Sequence, residues 1–267
     1  LIIILLVVIL IFKINFFNSN NINYISHFIE KFANRKKNIL ICSAGPSFNE
    51  LPTILSKYKN DFLRDCYIIA VKSTINKLNT YNICPDILCI NDFSNIKKID
   101  NSIVEKCKLK KTKIFYSADK SMSSYYLNNK TNINKNIDFI VYFKDLHNIL
   151  FNKTNWNSME CIKYNKPDCI NYEFKEGNII ETRWGHIMFE LALPISIMLK
   201  PKNIFILGWD LNDDTHYNDK EHYTDWHNNN EIKEFTKLLG PYVKKNYNIN
   251  IYKLSETQGI HLPLYNP

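Results

Sequence analysis

The sequence predicts an α/β fold, a mostly parallel sheet with helices on both faces, with an irregular insert and a membrane helix at the N-terminus. Three observations carry this reading. Short apolar runs bounded by turn residues alternate with amphipathic stretches from residue 38 onward, the rhythm of βαβ units. Several of those runs end in small or polar residues, as strands do where an open sheet receives a ligand. The third is that Leu1 to Phe12 is continuously apolar, unlike anything after it. With 267 residues, 45% hydrophobic and 22% charged, the chain can bury a real core, and global disorder is excluded. We expect an anchor at residues 1–17, a stem at 18–37 and one domain at 38–267.

The elements follow in order. Past Lys13, Ile14, Phe16 and Phe17 extend the first apolar run to the short end of the roughly 17 to 25 residues a spanning helix needs. A signal peptide is the rival, but no small-x-small site follows, and Asn18 to Asn23 is a polar linker. Lys13, Lys31, Arg35, Lys36 and Lys37 would hold the domain in the cytosol by the positive-inside tendency unless an upstream flank outweighs them, so the side stays open. Candidate strands are Ile39–Ser43, Tyr67–Val71, Ile87–Asn91, Lys113–Tyr116, Phe139–Phe143, Asn203–Leu207 and Ile249–Lys253. Helical patterns cover Phe48–Tyr58, Thr74–Asn79, Gly185–Leu199 and Glu231–Lys245, with a kink expected at Pro194. Residues 117–181, rich in Asn and Lys, read as an insert that either covers a substrate or is a surface excursion.

Charge and cysteines narrow the function. The net charge of +8 is diffuse and mostly Lys, which suits an acidic ligand or an anionic membrane face. No Arg-rich stripe or aromatic platform argues for nucleic acid. Cys42, Cys66, Cys84, Cys89, Cys107, Cys161 and Cys169 contain no C-x-x-C and read as buried thiols, with a Cys161–Cys169 bridge the remaining option.

The chemistry is expected at the strand ends. In Asn38 to Phe48, an apolar run stops at Ser43-Ala44-Gly45-Pro46-Ser47, where backbone N–H groups and a helix start can meet a phosphate. Ser47 and Glu50 have the S-x-x-E spacing of a capping box. A capped glycine turn also occurs in α/β loops that bind nothing. Further ends are Lys72-Ser73-Thr74, Asn91-Asp92 and Gly208-Trp209-Asp210. Asn91 and Asp92 can hold a ribose or base, and Asp210 can orient a sugar hydroxyl or a neighbouring side chain. Downstream, Asp213 to His227 is dense in His, Asp and Tyr, where a histidine can serve as base and a tyrosine can donate to a leaving phosphate. A metal site of His216, His222 and His227 with Asp213 or Asp225 is the rival, although the spacing matches no standard helix motif.

GPSF after a strand, then AVKST, CPDILCINDF and a long helix feeding PKNIFILGWDLNDDTHY, resemble the order of motifs in two related families. One is the MptE-like domain, domain of unknown function 115; the other is the bacterial sialyltransferase family, glycosyltransferase family 42. The resemblance runs from about Asn38 to the C-terminus, with the insert poorly matched, and it implies a Rossmann-like domain. HYTDWHNNNEIKEF is similar to the sialyltransferase loop that carries the catalytic His, which implies His227 as base and Tyr217 as a phosphate-contacting tyrosine. It also sets Asn91 on a donor-binding Asn and Gly45-Pro46-Ser47 on the nucleotide loop, and together with the strand ends we expect a donor or nucleotide site of Ser43, Gly45, Pro46, Ser47, Ser73, Asn91, Asp92, Gly185, Asp210 and Asn212. The sequence departs from the family at Ala44, at Ser73 and at Asn212, and the histidine loop is one residue longer, which bears on the donor sugar more than on the fold. The implied activity is inverting transfer from a CMP-activated nonulosonic acid, with no metal or other cofactor, to a glycan acceptor. MptE-like proteins also include pterin diphosphokinases using ATP and Mg, and a catalytically inert nucleotide-fold protein is the third reading.

Overall fold

The computed structural model describes residues 37–58, 61–90, 98–118, 137–142, 187–211 and 229–266. Seven strands form one sheet: β1 Asn38–Cys42, β2 Cys66–Val71, β3 Ile87–Ile90, β4 Lys113–Ala118, β5 Phe139–Tyr142, β6 Asn203–Leu207 and β7 Asn250–Lys253. Their order is β5-β4-β3-β2-β1-β6-β7, and every pairing is parallel. All seven strands that the apolar runs predict are present, with ends shifted by a residue or two. The direction of winding reverses between β1 and β6, which makes this the Rossmann-like, doubly wound arrangement.

The central strands β1, β2, β3 and β6 are buried on both faces, so they read as nearly unbroken apolar runs instead of alternating ones. Successive side chains still point to opposite faces. Ile39, Ile41, Ile69, Ile204 and Ile206 pack on one side with Leu191, Ile195, Leu239 and Val243. Leu40, Cys42, Ile68, Leu88 and Leu207 pack on the other with Phe48, Leu51, Ile75 and Val104. The helices are α1 Leu51–Tyr58, α2 Asp61–Arg64, α3 Thr74–Thr80, α4 Asn101–Leu109, α5 Leu193–Met198 and α6 Asn229–Tyr247. Thus α1, α3 and α4 cover one face while α5 and α6 cover the other.

Local chemistry sets the ends of these elements. Asp100 caps α4 by accepting the Ser102 amide at 2.8 Å. The kink expected at Pro194 takes the form of a π-turn over Met188–Ala192, where Leu193 N–H donates to the Met188 carbonyl just before the proline. A π-turn absorbs the hydrogen bond that proline cannot make. Asn82, Lys111, Lys200 and Asn248, one or two residues past the ends of α3, α4, α5 and α6, have φ of 58°, 73°, 50° and 55°, the left-handed stop of a helix. At the sheet's N-terminal edge the first residues of β1, β6 and β7 form an amide ladder. Asn203 Nδ2 donates to Asn38 Oδ1 at 2.8 Å, and Asn250 Nδ2 donates to Asn203 Oδ1 at 3.0 Å.

One expectation changes. Cys84 and Cys107 are joined in a disulfide, with Cα atoms 5.3 Å apart, whereas the sequence reads both as buried thiols. The pair stands 23 residues apart with no motif spacing, and it meets because α4 packs beside the turn entering β3. Cys42, Cys66 and Cys89 are free and buried, and burial pushes the Cys42 and Cys89 thiols well above the ordinary range. The N-terminal membrane helix and the Cys161–Cys169 bridge lie outside the described residues, and among the described residues no helix is long and apolar enough to cross a membrane.

Closing a loop of this length contributes about 3 kcal/mol, so the double variant Cys84→Ala/Cys107→Ala lowers the unfolding free energy in urea by about that amount. In native protein near pH 8, mass spectrometry after alkylation shows Cys42 and Cys89 unmodified, because their thiols stay protonated and enclosed; both react once denaturant is added.

Candidate functional site

In an open parallel sheet the ligand crevice lies outside the carboxyl ends of the strands where the winding reverses. Here that point is the β1/β6 boundary, in register from Asn38 opposite Asn203 to Cys42 opposite Leu207. The ladder runs on into the loops: Ser43 N–H donates to the Leu207 carbonyl at 2.8 Å, and Gly45 N–H to the Gly208 carbonyl at 2.7 Å. Two glycines permit so close an approach. A Cβ on Gly45 would fall 2.5 Å from Asp210 Oδ2 and 2.7 Å from the Gly208 carbonyl oxygen. Gly208 has φ of 79°, and a Cβ there would run into the Ser43 carbonyl.

Pro46 opens a 3₁₀ turn over Pro46–Glu50, and this sets Ser47 against the β6 loop. Ser47 N–H donates to Asp210 Oδ2 and Ser47 Oγ to Asp210 Oδ1, both at 2.6 Å. Gly208 N–H in turn donates to Ser47 Oγ at 3.0 Å. Ser47 is buried, so these charge-assisted bonds work with little competition from water. The β2 end joins the same structure. Thr74 Oγ1 accepts the Val71 amide at 3.0 Å and lies 3.1 Å from the Cys42 carbonyl and 2.9 Å from that of Val71, to one of which its proton goes. Ser73 is buried at the N-cap of α3, and Lys72, with φ of 57°, continues the ladder by donating its amide to the Cys89 carbonyl at 2.8 Å. On the other flank, Glu50 Oε1 accepts from Ser255 Oγ and Thr257 Oγ1, each at 2.7 Å, which ties the loop after β7 to the same 3₁₀ turn.

The geometry revises the expected roles. Ser47 sits inside the turn, with Gly45 at its cap position, and Glu50 reaches the β7 loop, so the S-x-x-E pair is not a capping box. The amides of Gly45, Ser47 and Phe48 are committed to Gly208, Asp210 and Gly45, and Pro46 has none, so the loop does not present them to a phosphate. Asp210 is spent on Ser47, the neighbouring side chain, through both of its carboxylate oxygens. Ser43, Gly45, Pro46, Ser47, Ser73 and Asp210 are thus brought to the ends of β1, β2 and β6. Asn91, Asp92, Gly185, Asn212, Tyr217 and His227 lie outside the described residues, as does the histidine and aspartate set of the metal reading. Sequence reasoning assigned no role to Gly208 and Thr74, although a glycine closing a strand and a threonine opening a helix were signals for both.

The strand order defines a doubly wound α/β protein, whose candidate site is at the β1/β6 reversal. A family model described as 6-hydroxymethylpterin diphosphokinase MptE-like matches residues 13–215, and the chain belongs to that family. No curated protein matches it. Among solved structures it is similar to the MAf glycosyltransferase from Magnetospirillum magneticum AMB-1, with a TM-score of 0.45 and 10% identity over 86% of this chain and 33% of that one. The chain therefore spans about a third of the length of that enzyme. It is also similar to the sialyltransferase CstII from Campylobacter jejuni, solved in complex with a substrate analogue, cytidine-5'-monophosphate, with a TM-score of 0.41 and 17% identity over 85% of this chain and 84% of that one.

Removing the carboxylate leaves a buried serine amide and hydroxyl unsatisfied, so Asp210→Ala costs about 2 to 3 kcal/mol in urea unfolding. A double-mutant cycle of Asp210→Asn with Ser47→Ala returns a coupling of about 1 to 3 kcal/mol, and additive single effects would refute the clamp. Gly208→Ala destabilises by about 3 kcal/mol or more, through both left-handed strain and the collision with Ser43.

Proposed function

We propose that the chain is a membrane-anchored, metal-independent glycosyltransferase of sialyltransferase-like type, which moves a nonulosonic acid from a CMP-activated donor to a glycan acceptor. The observation that carries this reading is the clamped lip at the β1/β6 reversal. Asp210, which fixes the Gly45-Pro46-Ser47 turn, leads directly in sequence into the segment holding Tyr217 and His227, and that segment ends just before α6 at Asn229. One short stretch of chain therefore both shapes a nucleotide pocket and supplies the reacting groups.

In this mechanism His227 takes the proton of an acceptor hydroxyl as its oxygen bonds to the anomeric carbon of the donor. The bond from that carbon to the CMP phosphate oxygen breaks, its electron pair leaves with CMP, and the anomeric configuration inverts. Tyr217 donates a hydrogen bond to the departing phosphate. Because the amides of Gly45 and Ser47 are committed, the loop shapes the pocket while side chains meet the donor: Ser43 and Ser73 beside it, Asn91 and Asp92 on ribose or base, with Asn212 and Gly185 completing the site. Lys72, held in a left-handed conformation at the same rim, adds positive charge on the phosphate side. The reaction needs no cofactor. Residues 1–17 hold the enzyme at a membrane as a single-pass anchor, near its glycan acceptors.

Membership of the MptE-like family favours a second reading, a 6-hydroxymethylpterin diphosphokinase using ATP and Mg. Thermal shifts of the full chain in detergent separate the two: CMP or a CMP-sugar raises the melting temperature without metal, and a shift confined to ATP with Mg would overturn the transferase. With a CMP-sugar, His227→Ala lowers kcat by about a hundredfold or more. Lys72→Gly relieves the backbone strain yet raises the donor KM, and an unchanged KM would remove Lys72 from the donor site.

A further inference from the structure

We infer that the N-terminal edge of the sheet, opposite the crevice, is a docking face for an anionic bilayer. All seven strands run parallel, so their entry turns and the C-termini of the crossover helices share this edge. It collects exposed lysines: Lys37 before β1, Lys110 and Lys111 after α4, Lys200 after α5, Lys202 before β6, and Lys244 in the last turn of α6. Among the described residues, the turns entering the strands carry three carboxylates, Asp65, Asp86 and Asp138, against those six lysines, so the edge keeps a net positive charge. Asp138 is paired with Lys108 and Lys113, Asp86 accepts the Ile68 amide, and Asp65 is exposed.

Two features point to lipid as the occupant. Leu109, 88% exposed, stands at the end of α4 just before the exposed Lys110 and Lys111, and an exposed apolar side chain next to lysines suits the headgroup boundary of an anionic membrane. Beside β6 an open cleft of about 520 Å³ is lined by Ile197, Lys200, Pro201, Lys202 and Asn246 to Ile249, which sets two lysines beside apolar and amide side chains, a mixed lining that suits a phosphate-bearing headgroup. The apolar N-terminal segment joins the domain at this same edge, through Lys37. The inference rests on the membrane-anchored reading above, and it adds an orientation: the domain stands on the bilayer with the crevice at its far end, open to acceptors.

The test uses the full chain with phosphatidylcholine vesicles and with vesicles carrying about 30 mol % phosphatidylserine. Partition onto neutral vesicles reports the apolar segment, and the ratio of anionic to neutral partition reports the edge. The ratio is expected to exceed tenfold, to collapse in about 0.5 M salt, and to fall at least tenfold in the variant K110E/K111E/K200E/K202E. In the unmodified protein, hydrogen exchange on anionic vesicles slows across residues 108–113 and 198–203 and stays unchanged across 43–48. A ratio near one, or protection at the crevice in place of the edge, overturns the docking face. Loss of neutral-vesicle binding with the ratio preserved overturns the anchor alone.

Discussion

Asp210 takes both the amide and the hydroxyl of Ser47, and with those two bonds the loops after β1 and β6 become one lip. The rest of the upper rim hangs on it. Gly208 must be left-handed and without a side chain so that Asp210 can turn back toward β1, and Gly45 must be bare so that the carboxylate can reach past it. The Thr74 hydroxyl lies between the carbonyls that end β1 and β2, and Glu50 ties the loop after β7 to the same turn, so four strand ends gather around one carboxylate.

This constraint alters what the turn can do chemically. A helix start that carries its own internal anion has its partial positive charge already answered, so it is poorly placed to capture a bare phosphate.

The sheet was legible in the sequence because its strands are written as short apolar runs bounded by turn residues, most plainly in β1, β2, β3 and β6, which are buried on both faces, and all seven runs correspond to strands. The helix Asn101–Leu109 was less so, since only Val104 and Cys107 of its residues are buried and the rest merges with a lysine-rich background. At the site, Gly45-Pro46-Ser47 and Asp210 were visible as strand ends, but their bond to each other was not. They are separated by 163 residues, and no local pattern records a contact made by strand order. The S-x-x-E spacing misled for the same reason: Glu50 has a better partner in Ser255 than its local pattern offers. The Cys84–Cys107 disulfide likewise depends on a packing contact between two elements, and no motif spacing announces it.

Four helices stop in a left-handed residue, and none of these residues is glycine; two are lysine and two asparagine, in a chain with only 6 glycines. Lysine and asparagine are among the residues this composition supplies in excess, and asparagine tolerates the left-handed region better than most. Lysine does not, yet at these positions it brings a cation to a helix end whose dipole is negative. At Lys111 and Lys200 an ill-suited backbone residue thus carries a well-suited charge, so the residues that strain these helix ends also electrify one side of the domain.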